Sequence, residues 1–180
     1  MLPWGHAALG YLVYSVYVRW RHGRPPIGLT VVALGIGTQF PDLIDKPLTW
    51  TVPLLPYGRS LAHSLVAFGI LCTVLRVWFR YPDQRALTEA FTLGYATHVV
   101  GDGVAPALAG DYTALRYLFW PVTAVPASPG AESFIDFFVT LTMTPMHLFG
   151  IVLTVVAVAL WIVDGLPGVW DLIREPTTTA

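Results

Sequence analysis

Apolar residues in this chain run in long blocks, without the strict alternation of a half-buried strand. A helix needs about 20 predominantly apolar residues to cross the hydrocarbon core of a bilayer. Residues 61–79 meet that requirement, and so do residues 85–108 despite Glu89, His98 and Asp102. Residues 133–164 exceed one crossing and contain Pro145. A proline removes a backbone donor and crowds the preceding turn, so this block reads as one long helix kinked near Thr144. Residues 6–20 and 27–40 are each short of a full span, although the first can extend back to Leu2. Such lengths suit helices that end at a protein-lined polar cavity. Residues 112–125, with Leu118-Phe119-Trp120-Pro121, are too short and proline-broken to cross and read as an interfacial or re-entrant segment.

The pattern predicts an all-α integral membrane protein with about five transmembrane helices plus that short segment. Residues 1–165 form a single transmembrane domain in this reading. Residues 166–180 are a short C-terminal tail, frayed over the threonine-rich stretch 176–180. Composition agrees: of 180 residues, 55% are hydrophobic and only 12% are charged, about half the charge of an ordinary soluble domain. Ten Lys+Arg against eleven Asp+Glu leave no basic excess for nucleic acid. The single cysteine, Cys72, excludes an intramolecular disulfide. The N-terminal residues lack the charged region and cleavage pattern of a signal peptide, so the first apolar block is expected to stay in the mature protein. Most tryptophans fall near predicted span ends, as interfacial anchors do.

Charge then orients the bundle. Arg19, Arg21 and Arg24 separate the first two spans, and Arg76, Arg80 and Arg85 separate the third and fourth. In an alternating topology these connections share one side, which the positive-inside bias makes cytoplasmic. The N-terminus is therefore expected outside and the C-terminus inside.

The same alternation gathers the acids and histidines on the opposite side. His6 opens the first span, Asp42 and Asp45 close the second, His63 opens the third, and His98 and Asp102 close the fourth. Residues three or four apart share a helix face, so His98 and Asp102 can face one ion. Asp42 and Asp45 can do likewise if the second helix continues past Pro41. An aspartate at membrane depth costs about 2.5–3.5 kcal/mol on insertion scales, and Asp102 therefore calls for a partner. Imidazole and carboxylate donors without thiolates suit zinc first and manganese second. His6, Asp42, Asp45, His63, His98 and Asp102 suffice for one or two divalent ions, with a carboxylate bridging a pair. Two-metal sites activate water and hold the oxygens of a phosphoester under in-line attack. Asp45 is either a ligand or the general base. Arg59 is the candidate for binding a substrate phosphate, through its planar guanidinium. Ser64 is a candidate for orienting a ligand, and His147 and Asp136 are weaker candidates on the last span.

The order His6, Pro41-Asp42-(x)2-Asp45, Arg59-(x)3-His63-Ser64, His98-(x)3-Asp102 and Phe119-Trp120-Pro121 resembles the YdjM-like family over roughly residues 4 to 125. Members are described as membrane-bound, metal-dependent hydrolases. The family's third motif usually reads His-Arg-Gly-x-Thr-His-Ser, where this chain has Gly58-Arg59-Ser60-Leu61-Ala62-His63-Ser64. Its carboxylate motif is often Pro-Asp-x-Asp, one residue shorter than here. The family is remotely similar to zinc-dependent phospholipase C, which implies phosphoester hydrolysis at a zinc site. Together these expectations describe a membrane hydrolase with an outward-facing metal site, acting on a phospholipid or polyprenyl phosphate. The competing class is a non-enzymatic membrane protein whose metal site is structural or serves transport.

Overall fold

The computed structural model describes residues 1–125 and 133–173, and within them every regular element is helical. Helix α1 spans Pro3–His22, α2 Leu29–Trp50, α3 Leu65–Trp78 and α4 Pro82–Leu108. A 3-10 turn at Ala114–Phe119 follows, then α5 Phe134–Val139, α6 Pro145–Val163 and α7 Val169–Ile173. Proline occupies the first turn of α1, α4 and α6, where its missing N–H is not needed. Gly23 closes α1 with φ 64° and donates its N–H to the Arg19 carbonyl.

Several segments differ from the sequence expectation: the block 61–79 is helical only over Leu65–Trp78, and the short block 27–40 continues as helix to Trp50. Residues 133–164 form two helices rather than one kinked helix. The break falls at residues 140–144, and Pro145 starts α6 instead of bending it. Thr144 caps α6 by accepting from the His147 N–H, and His147 Nδ1 accepts from the Thr144 N–H. A start with proline and a reciprocal cap is cheaper than a proline in a helix interior. Helix α2, by contrast, runs straight through Pro41 and Pro47 to Trp50. The predicted interfacial segment contains the 3-10 turn, which buries Tyr117. In the predicted tail, Val169–Ile173 is helical, and residues 174–180 lie outside the described part.

Helices α2 and α4 make the most extensive pairing, and α1 lies against both and against α6. Glycines allow that closeness. A Cβ at Gly37 would lie 2.2 Å from the Phe91 carbonyl oxygen, and one at Gly94 would lie 2.4 Å from the Leu34 carbonyl oxygen. Small residues at helix contacts are how bundles pack where no water drives association. Gly37→Ala is expected to destabilise the fold by about 1–3 kcal/mol or more, because backbone is the obstacle. Gly35→Ala, on the same helix facing open space, is the matched control. Thermal unfolding of the two variants in detergent measures the difference.

Pro145–Val163 is the one helix among the described residues that is long and apolar enough to cross a membrane by length and composition. Helix α3 is apolar but has 14 residues. Helices α1, α2 and α4 have the length, with 20, 22 and 27 residues, but carry polar groups along it. Those polar groups include the buried histidines and aspartates.

Candidate metal centre

Four pieces of chain bring the histidines and aspartates together. His6 comes from the first turns of α1, Asp42 and Asp45 from the middle of α2, and His98 and Asp102 from the second half of α4. His63 sits in the turn just before α3, whose N-cap is Ser64, accepting from the Ala67 N–H. All six are buried, and Asp45, His63 and His98 have no exposed surface.

Hydrogen bonds fix the ring orientations. His98 Nδ1 lies 2.6 Å from the Thr38 carbonyl oxygen, which only accepts, so Nδ1 carries the proton. His63 Nδ1 lies 2.8 Å from Asp45 Oδ2 and donates to it. While both rings are neutral each presents a bare Nε2, and these two nitrogens face each other 3.1 Å apart. Two buried lone pairs in that arrangement repel unless a proton or a metal cation is shared between them.

The surrounding distances suit such a cation. Asp42 Oδ1 lies 3.5 Å from His63 Nε2 and 3.7 Å from His98 Nε2. Asp102 Oδ2 lies 3.6 Å and 3.9 Å from the same two nitrogens. Ligands 2.0–2.1 Å from a tetrahedral zinc are separated by roughly 3.3 Å. The five separations among His63, His98, Asp42 and Asp102 given above, 3.1–3.9 Å, lie near or somewhat beyond that edge.

His6 supplies the second part of the centre. Its Nε2 lies 3.2 Å from Asp102 Oδ1, and its ring stacks on His98 with centroids 3.8 Å apart. Both ring nitrogens are buried without a well-aligned hydrogen bond, Nε2 having only the Asp102 carboxylate beside it and Nδ1 nothing. Unsatisfied buried nitrogens of this kind are expensive unless they ligate. The geometry yields two overlapping donor groups, Asp42/His63/His98 and His6/His98/Asp102. An imidazole has one free lone pair, so His98 serves one ion. A second ion would rely on His6 and Oδ1 of Asp102, with Asp102 as the bridge.

Asp45 lies beside the donor groups rather than in either of them. Its Oδ1 accepts from the Ala62 N–H, and its Oδ2 accepts from the Ser60 N–H, the His63 N–H and His63 Nδ1. It shapes the turn 60–63 and aims His63, the role of a partner behind a metal ligand. Thus α2 contributes two carboxylates with different tasks, because it stays helical beyond Pro41.

Arg59 is half-buried on the same loop, with Nε 2.7 Å from Asp102 Oδ2. Asp102 raises the affinity of that guanidinium for its proton, so it stays charged. Residues 58–64 form turns and bends, and Arg59 approaches Asp102 through that loop. Ser64 is a helix cap. His147 is half-buried and engaged in the α6 cap, and Asp136 lies on α5, neither belonging to the donor groups.

Lys46 is a neighbour that the motif reading missed. It lies one turn after Asp42 with Nζ 2.5 Å from Asp42 Oδ2, and over the rings of Trp50 and Phe137. Its signal was visible, since it is the single lysine and stands four residues from a candidate ligand.

A buried cluster of imidazoles and carboxylates in a helical bundle defines a membrane-protein class with a candidate metal centre. The profile of the YdjM inner membrane protein family matches residues 1–169, and the chain belongs to that family. No curated protein and no solved structure matched the chain in comparison. The likeness to zinc-dependent phospholipase C is not shown by these comparisons.

Proposed function

We propose that this inner membrane protein is a metal-dependent hydrolase that cleaves a phosphoester of a lipid or polyprenyl phosphate. The observation that carries the reading is the pair of bare Nε2 atoms of His63 and His98, 3.1 Å apart and flanked by Asp42 and Asp102. Zinc suits this donor set, with manganese second. A bound divalent ion supplies Lewis acidity and a water of lowered pKa.

The remaining tasks fall to the protein. His63, His98, Asp42 and Asp102 hold the first ion, and His6 with Asp102 holds the second where one is present. Asp45 keeps the His63 ring aimed, and its carboxylate is the nearest proton acceptor behind that ring. Arg59 meets the substrate phosphate, leaving Asp102 partly free as it turns. Five crossings, formed by α1 to α4 and α6, put the centre at the extracytoplasmic face with the N-terminus outside. Helices of modest length around a polar centre suit a substrate whose tail remains in lipid.

The test is phosphate release from phosphatidic acid and polyprenyl phosphate in mixed micelles. Zinc-loaded protein is expected to release phosphate, and chelated protein is not. Arg59→Gln is expected to lower kcat by about 10²-fold, the typical loss of one charge-stabilising donor, with the ion retained. Bound metal with no turnover on either substrate would favour a structural site.

A further inference from the structure

A cavity lies at the end of the bundle opposite the metal centre. It has a volume of about 410 Å³ and lies between α1, α3 and α4. Its walls divide by chemistry. Cys72, Phe79 and Leu93 give an apolar wall, while Arg76 from the end of α3 and Arg85 from the start of α4 stand at the polar side, with Glu89. The opposite placement follows from the chain: α3 leaves His63 and ends near Arg76, and α4 begins near Arg85 and reaches Asp102 a few turns later.

Two features identify the occupant. Among the described residues neither arginine makes a side-chain hydrogen bond or an ion pair, so two guanidinium groups outweigh Glu89 and the cavity is net positive. Beside it Trp78 and Tyr81 are largely exposed, at 79% and 73%. Aromatic side chains of that kind sit at the headgroup level of a bilayer. An apolar wall below arginines at headgroup depth fits a molecule with an anionic phosphate and a hydrocarbon chain. Basic pockets between membrane helices take such headgroups. We infer that this cavity binds one anionic phospholipid, its phosphate on Arg76 and Arg85 and the upper part of an acyl chain against Phe79, Cys72 and Leu93. The inference needs membrane residence but not hydrolysis.

Cys72, the only cysteine, lines the cavity and reports on it without any substitution. The full chain in detergent is labelled with a maleimide alone, with phosphatidylglycerol, with phosphatidylcholine of the same acyl chains, or with inorganic phosphate. Phosphatidylglycerol is expected to slow labelling about tenfold, with the other two having no effect. Native mass spectrometry is expected to show a phosphatidylglycerol adduct that the Arg76→Gln/Arg85→Gln variant loses. Equal protection by the two phospholipids would overturn the assignment. So would protection by inorganic phosphate alone, which marks a free-anion site. If the double variant fails to fold, the wild-type labelling result decides.

Discussion

Replacing His98 by alanine is expected to remove the first, tighter divalent ion from the protein. His98 belongs to both donor groups, and its Nε2 is central to the first. The variant also leaves the Thr38 carbonyl without the His98 N–H, a loss of about 1–3 kcal/mol for a buried acceptor. Ion content after zinc equilibration separates the two effects, since a variant shown to be folded by circular dichroism should still lack that ion. His6→Ala makes the contrast. It leaves His63, His98, Asp42 and Asp102 in place, so the first ion stays and only a second one is lost. A His98→Ala protein that binds as much zinc as wild type contradicts the arrangement of donors.

Asp45→Asn is expected to have the largest effect on stability. All four groups that reach the Asp45 carboxylate are donors. An amide nitrogen cannot accept, so at least one donor is orphaned in a site with no solvent. Each buried donor left unsatisfied typically costs about 1–3 kcal/mol, and more where the lost acceptor carried a charge. Loss of the partner behind a metal ligand typically costs about 10–100-fold in metal affinity. Denaturation midpoints and zinc titrations read the two. If Asp45 acts only through His63, saturating zinc restores most of the activity. If it also accepts the proton, activity stays low at saturation.

The helical architecture was legible in the sequence because apolar blocks and prolines fix it locally. The convergence of His6, Asp42, His63, His98 and Asp102 was legible too, since alternating helices bring those ends to one side. What the spacing could not separate was ligand from supporting residue. Asp42 and Asp45 look alike in sequence, and only the turn 60–63, folded around the second carboxylate, tells them apart. Ser64 and His147 were equally ambiguous, because a serine or histidine at a helix start caps or ligates according to its surroundings. Pro145 looked like a kink and is a start, since its preceding threonine caps the helix. The close approach of Gly37 and Gly94 to backbone depends on the pairing of α2 with α4, which no single segment encodes. Lys46 was missed because it has no motif of its own.

The direct test of the central claim is the metal content of the wild-type chain after zinc equilibration and removal of loose ions. The account predicts one ion per chain held by nitrogen and oxygen donors, with a second, weaker one dependent on His6. A folded wild-type protein that retains no zinc and no manganese would contradict it.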